Sequence, residues 1–302
     1  MKLTIFTPTY NRSELLTRLY KSLLNQSCHD FEWIIVDDGS SDNTENNINN
    51  IIKNNSLFPI YYYKKENGGK CSAINIGVKK SRCDWFFIVD SDDILMQKAV
   101  ETIYRYIKIY DSNQDVCALG FLRAKPNGEC IGGEVDYDTL VSDFFSYRNR
   151  LHYKGDRAEV IRLNVMKEYP FPEYTGEKFI SEALVWNRMA KKYKCVYINE
   201  KIYITEYIED GLSNTSSNLF SNSPKGSMLF YKENFLDAIR IKDKAISALL
   251  YWRFYFSTRI KNNPELKPCI SMYPYLIGYP LYLIIRFIYH KTNKNLIAKL
   301  NK

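Results

Sequence analysis

Asp90 and Asp92 stand one residue apart, directly after the apolar run Trp85–Val89. Asp37 and Asp38 follow a second such run, Phe31–Val36, and Thr7-Pro8-Thr9-Tyr10 closes a third that starts at Leu3. If the three runs are strands of one parallel sheet, their polar ends meet on one rim, and open parallel sheets bind ligands beyond the carboxyl ends of their strands. Carboxylates gathered on one rim repel each other unless a cation or a hydrogen-bond donor is shared among them. Hard oxygen ligands suit Mg²⁺ or Mn²⁺, which bind one or two carboxylates together with substrate phosphates. The pattern predicts a metal-dependent nucleotide site. The competing role for such acids is turn and helix-cap duty. That role suits Asp42, but it explains poorly two acids flanking one residue after a buried strand.

These side chains need a sheet to hold them, and the chain supplies one. Leu3–Thr7, Phe31–Val36, Ile60–Tyr63 and Trp85–Val89 read as strands. Helices are expected from Ser13, a candidate cap, to about Asn25, from Asp42 to about Lys53, over Cys71–Lys80, and after Asp93 to about Tyr110. This alternation means a parallel sheet with helices on both faces. Beyond residue 115 it fades. Val116–Arg123 reads as a strand, and residues 134–175 resist assignment. Phe179–Lys192 has helical spacing, Val196–Tyr207 alternates like a strand, and Ser213–Ser227 reads as a mobile loop. Residues 228–260 are expected to be helical and aromatic-rich. The fold class is α/β, with a Rossmann-like, mostly parallel central sheet, flanking helices and a C-terminal helical, aromatic-rich tail.

Four motifs in order carry a resemblance: Phe6-Thr-Pro-Thr-Tyr-Asn-Arg12, Val36-Asp-Asp-Gly-Ser-Ser-Asp42, Glu66-Asn-Gly-Gly-Lys70 with Asn75 and Gly77, and Val89-Asp-Ser-Asp-Asp93. On these the chain resembles family-two inverting glycosyltransferases of the GT-A fold. The likeness continues through Tyr169-Pro-Phe-Pro-Glu173, Glu177–Glu182 and Trp186, where it is similar to enzymes of bacterial capsule and exopolysaccharide assembly. It implies a GT-A catalytic domain over residues 1–215, with a nucleotide half to about 115 and an acceptor half from 116. Residues 216–302 lie outside it as an extension. The resemblance further implies a UDP-sugar donor, a hexose or N-acetylhexosamine, and a Mn²⁺ or Mg²⁺ cofactor. Asp92 would be the main metal ligand, with Asp90 reaching the metal or the ribose. Thr9 and Tyr10 would line the nucleobase, Asp38 would accept from the uracil N–H, and Lys70 would lie near the nucleotide. Thr7, Pro8, Arg12, Asn67, Gly69, Asn75 and Ser91 complete the donor-site set. An inverting reaction also needs a base for the acceptor hydroxyl. Where relatives carry a Glu-Asp pair this chain reads Ser181-Glu182, which puts the base on Glu182, with Glu177 as the alternative.

The 302 residues are 45% hydrophobic and 25% charged, a composition that buries a core rather than one that stays disordered. Seven Cys without a C-x-x-C spacing, and His residues only at 29, 152 and 290, argue against a disulfide framework, a zinc site and a His-built metal site. No signal-peptide pattern follows Lys2, so the mature chain is expected to start where the sequence does. The net charge is +8, yet residues 240–302 hold twelve Lys/Arg against Asp243 and Glu265, leaving 30 Lys/Arg against 32 Asp/Glu elsewhere. A basic end on a near-neutral body does not suit nucleic acid. It suits an anionic lipid surface. Eighteen uncharged residues, Pro268–Ile285, carry four Tyr and three Pro, and Arg286, Lys291, Lys294 and Lys299 follow them. The run reads as an interfacial anchor at the cytoplasmic face of the membrane. The other readings are an aromatic packing segment against the catalytic domain or a dimer partner, and a true span. An anchor fits an acceptor glycan carried on polyprenyl diphosphate. Among other classes, a receiver-type domain does not fit the chain length, and a processive synthase lacks its Gln-x-x-Arg-Trp, since no Arg precedes Trp33, Trp85, Trp186 or Trp252. A non-catalytic sugar-nucleotide-binding scaffold is the remaining alternative.

Overall fold

The computed structural model describes residues 1–205, 216–257, 264–278, 280 and 283. Two compact units divide them: Met1–Lys178 with Glu182–Thr215, and Phe179–Ser181 with the residues from Ser216 on.

The first unit is built on a nine-stranded sheet. β1 (Leu3–Thr9) and β2 (Phe31–Asp37) are buried at every position, as expected of parallel strands covered on both faces. β3 (Ile60–Lys64), β2, β1 and β4 (Trp85–Ile88) are neighbours in that order and all parallel. Their register sets Thr9 beside Asp37 at one edge. α1 (Ser13–Leu24) buries Leu16, Leu19 and Leu23, spaced for one helix face, and α2 (Thr44–Asn54) buries Ile48 and Ile51. Ser13 does not cap α1. Arg12 holds the cap position, and Asp42 serves both helices instead, with Oδ2 accepting from Ser13 N–H (3.3 Å) and Oδ1 from Thr44 N–H (3.0 Å). Burial opposes the Asp42 charge, but these hydrogen bonds outweigh it and lower its pKa. α3 (Lys70–Lys80) lies flush on β1 at Gly77, where a Cβ would meet the Phe6 ring at 2.3 Å.

The second half of the sheet is mixed. β5 (Ile94–Leu95), too short to read from sequence, follows the acidic turn, and α4 (Ala99–Tyr110) follows it. β6 (Val116–Ala124), β7 (Thr139–Ser142), α5 (Phe144–Asn149), β8 (Arg157–Arg162) and α6 (Leu163–Glu168) fill the stretch that sequence reading left largely open. α7 (Glu182–Met189) and β9 (Lys194–Ile204) complete the unit. β8 runs antiparallel between β4 and β6, so the parallel order stops at β4. β9 is parallel to β6 and antiparallel to β5 and β7.

In the second unit, α8 (Ser216–Asn222) and α9 (Pro224–Asp237) occupy most of the segment expected as a mobile loop. Pro224 sits at the first turn of α9, where its missing N–H costs no bond. α10 (Ile241–Ser257) packs on α9. Two short 3-10 segments, Pro264–Leu266 and Ile270–Leu276, are fixed to α10: Tyr251 O–H donates to Leu266 O (2.5 Å) and Trp252 Nε1–H to Met272 O (3.1 Å). Among the described residues no helix is long and apolar enough to cross a membrane. The start of the uncharged run packs on α10, within the C-terminal extension, whereas the packing alternative expected the catalytic domain or a dimer partner. Residues 279, 281–282 and 284–302, with the basic positions, lie outside the described residues.

Candidate active site

The strand ends at the carboxyl edge of β1, β2 and β4 carry the site. Thr7 is fully buried and its Oγ1 accepts from Trp33 Nε1–H (3.0 Å), so it builds the floor rather than facing a ligand. Pro8 is also buried. Thr9 is 3% exposed, and its Oγ1 has no hydrogen-bond partner among the described residues. A buried hydroxyl without a partner is uncommon and marks a place for a ligand atom or water. Tyr10, next to it, is half exposed.

Asp38 is buried, and both its oxygens hold the glycine loop. Oδ1 accepts from Lys65 Nζ (2.7 Å) and Gly68 N–H (2.8 Å), and Oδ2 from Gly69 N–H (2.7 Å). Gly69 has φ +91°, and a Cβ there would lie 1.8 Å from Lys178 O, so glycine is required. Asn67 N lies 3.0 Å from where a Cβ on Gly39 would stand, which packs the two turns together. Asn75 is occupied elsewhere. Its Nδ2 donates to Phe171 O (2.9 Å) and Glu173 Oε1 (2.7 Å), and its Oδ1 accepts from Phe171 N–H (2.9 Å). It clamps the segment leading to α7 instead of facing a nucleotide.

Past β4 the chain turns at Asp90-Ser91-Asp92-Asp93, closed by Asp93 N–H on Asp90 O (3.1 Å), with Ser91 buried. Each outer acid is paired with a cation. Arg12 Nη1 lies 2.6 Å from Asp92 Oδ2, and Lys70 Nζ lies 2.7 Å from Asp90 Oδ1. Lys70 also reaches Glu182 Oε1 at 2.9 Å. Burial works against the Lys70 ammonium, but Asp90 and Glu182 outweigh it and raise its pKa. Burial likewise works against the Asp90 carboxylate, and Lys70, Arg123 and Arg12 hold it below its ordinary value. Asp93 is 4% exposed, and burial together with the Asp90 charge pushes it up to about 7. Burial also raises Glu159 of β8 to about 7.

The fold thus brings Lys70, Asp90, Asp92, Arg12 and Glu182 together from four separate stretches of chain. Glu182 opens α7, and Trp186 one turn on stacks on Phe144 (5.9 Å) and meets Phe171 edge-on (6.0 Å), which fixes that helix. Glu177 sits in a turn closed by its N–H on Tyr174 O (2.9 Å), while the Lys70 ammonium bridges Asp90 and Glu182. Sequence reasoning assigned no role to Lys65, Asp93, Arg123 or Tyr203. Asp93 lay inside a quoted motif, but the others stand alone on strands or loops, where nothing local marks them.

For a metal, Asp90 and Asp92 offer hard oxygens from one turn, each with one oxygen on a cationic side chain. Among the described residues no third His, Cys, Asp or Glu joins them. This donor set fits a Mg²⁺ or Mn²⁺ ion that completes its shell with phosphate oxygens and water.

Comparison with known proteins bears on the family and the fold. Residues 4–128 match the model of Glycosyl transferase family 2. A 117-residue stretch, 38% of this chain, is 38% identical to Poly(ribitol-phosphate) beta-N-acetylglucosaminyltransferase TarP of Staphylococcus aureus, but it spans only 35% of that protein. Over its whole length the chain is 25% identical to GalNAc(5)-diNAcBac-PP-undecaprenol beta-1,3-glucosyltransferase of Campylobacter jejuni, spanning 97% of it. The crystal structure of S. aureus TarS 1-349 in complex with UDP-GlcNAc superposes with a TM-score of 0.60 at 20% identity, covering 92% of this chain and 79% of that one. Mannosyltransferase PcManGT from Pyrobaculum calidifontis superposes with a TM-score of 0.54 at 12% identity, covering 94% and 80%. The central sheet with flanking helices has the GT-A fold of these neighbours, and residues 4–128, about two fifths of this chain, are similar to the glycosyl transferase family 2 domain.

Proposed function

We propose that the chain is an inverting glycosyltransferase that moves a sugar from an α-linked UDP-sugar to a hydroxyl of a glycan acceptor, forming a β-linkage. One observation carries this reading: a single ammonium, Lys70 Nζ, bridges an acid of the donor turn, Asp90, and the acid at the start of α7, Glu182. The leaving-group site and the base are thereby within one side chain of each other. In the reaction the acceptor oxygen forms a bond to the anomeric carbon, the bond from that carbon to the diphosphate oxygen breaks, and UDP leaves with the electron pair. Glu182 takes the hydroxyl proton. Thr9, Tyr10 and the loop held by Asp38 receive the nucleotide. Lys70 and Arg12, already beside the donor turn, meet the diphosphate charge, and a diphosphate that draws Lys70 off Glu182 leaves that carboxylate free to act. Asp92 and Asp90 would hold Mn²⁺ or Mg²⁺, which when bound supplies several kcal/mol of charge stabilisation to the departing diphosphate.

The solved neighbours are complexes with UDP-GlcNAc and with GDP-Man, so the fold alone leaves the nucleotide open. The relatives' names favour a UDP-linked hexose or N-acetylhexosamine. A thermal-shift panel with UDP, GDP and CMP, each with and without Mn²⁺, tests the donor. A nucleotide at about 100 times its Kd adds about 2.7 kcal/mol. UDP with Mn²⁺ is expected to give the largest shift, and a larger shift with GDP or CMP contradicts the proposal.

The acceptor we propose is a glycan on polyprenyl diphosphate. The full-length relative from Campylobacter is named for such a substrate. On this reading the protein works at the cytoplasmic face of the membrane, held by the basic residues from Arg286 to Lys302 on anionic lipid. Removing residues 279–302, which leaves the segment packed on α10 in place, is expected to release the protein from vesicles containing phosphatidylglycerol. Raised salt should release the full chain too. A truncated chain that still sediments with those vesicles contradicts the placement.

A further inference from the structure

Behind the donor turn lies a buried group with no part in the chemistry above. Tyr203 of β9 is fully buried, and its hydroxyl makes two directed bonds. It accepts from Asp90 N–H (3.0 Å) and donates to Asp93 Oδ2 (2.7 Å). A phenol has one hydrogen, so the carboxylate of Asp93 fixes which way that hydrogen points and leaves a lone pair for the Asp90 amide. Arg123 of β6 closes the arrangement. Its guanidinium sits over the Tyr203 ring at 4.3 Å, lies 3.9 Å from Asp93 Oδ2, and is tied by Nε–H to Arg157 O (3.0 Å). The pairing of Leu95 with Tyr203 between β5 and β9 fixes the far side of the turn. Both ends of Asp90–Asp93 are thus anchored to the mixed half of the sheet.

We propose that Tyr203, Asp93 and Arg123 are positioning residues: they hold the backbone of the Asp90–Asp92 turn so that both outer carboxylates face one cation and the donor diphosphate. This rests on the donor-site reading of Asp90 and Asp92. Groups that orient metal ligands from behind alter metal affinity by about 10–100-fold when removed. Tyr203→Phe deletes the hydroxyl and keeps the ring under Arg123. Asp93→Asn keeps an acceptor for the hydroxyl, whereas Asp93→Leu removes it.

The test is calorimetric binding of UDP to the full chain, with and without Mn²⁺, alongside the Tm of each variant. Tyr203→Phe is expected to weaken Mn²⁺-dependent UDP binding about tenfold or more and to leave metal-free UDP binding unchanged. Asp93→Leu should follow it, and Asp93→Asn should lose less than Asp93→Leu. If Tyr203→Phe unfolds, the two Asp93 variants read the same effect. A parallel loss of both binding modes that tracks Tm means a packing role only and overturns the inference. Asp92→Asn separates the two levels. If it weakens Mn²⁺-dependent binding while Tyr203→Phe and Asp93→Leu do not, this inference alone fails. If Asp92→Asn binds as the unaltered chain does, the donor-site reading fails and this inference falls with it.

Discussion

Glu182→Gln is expected to lower transfer by about 10²–10⁴-fold, the usual contribution of a general base, and to leave UDP binding unchanged. The substitution keeps the shape of the side chain and an oxygen that can accept from Lys70, 2.9 Å away. It removes the negative charge and with it the capacity to take a proton. Glu182 is 34% exposed beside Lys70, and partly exposed pairs contribute at most about 1 kcal/mol, so the fold should change little without its charge. Steady-state transfer and UDP calorimetry on the same preparation check both halves. Full activity in Glu182→Gln would move the base to Glu177 or elsewhere on the acceptor side.

Asp92→Asn is expected to abolish the metal-dependent part of transfer. A diphosphate leaving group needs its charge met, and several kcal/mol of stabilisation at 1.36 kcal/mol per tenfold amounts to about a thousandfold or more. The residual rate should equal that of the unaltered protein without metal, and added Mn²⁺ should not change it. Stability should change little, because the Arg12–Asp92 pair is partly exposed. Transfer measured across a Mn²⁺ titration, with the Tm as control, gives the answer. A variant that still responds to Mn²⁺ places the metal elsewhere.

The nucleotide half was legible because its signals are local. Runs such as Phe31–Val36 are buried on both faces and therefore uninterrupted in sequence, and the acids after them sit where parallel strands end. The resemblance pointed to Glu182, but nothing in the sequence pointed to its contact with Lys70, which joins residues far apart in the chain. The second half of the sheet failed to read for a physical reason. β8 is inserted antiparallel between β4 and β6, so its order in space departs from its order in sequence. β5 has two residues, too few for any periodicity, yet its pairing with β9 fixes the donor turn. Thr7 and Asn75 were assigned to the nucleotide because they lie inside motifs. Their side chains instead bond Trp33 and the Phe171 backbone, contacts set by tertiary packing. The stretch after Ser213 misled through composition. Ser and Asn suggested a loop, whereas Ser223 stands at the cap position of α9 and Ser227 Oγ donates to Ser223 O at 2.7 Å.

The most direct measurement is time-resolved proton NMR of the anomeric signal when the protein and Mn²⁺ meet UDP-glucose, UDP-GlcNAc, UDP-galactose or UDP-GalNAc, with water as the fallback acceptor. An inverting transferase with Glu182 as base should release the β-anomer first from one of these α-linked donors, and Glu182→Gln should not. The α-anomer appearing first, or nucleotide binding without sugar release from any of the four, would contradict inverting transfer, and the second result would favour a sugar-nucleotide-binding scaffold.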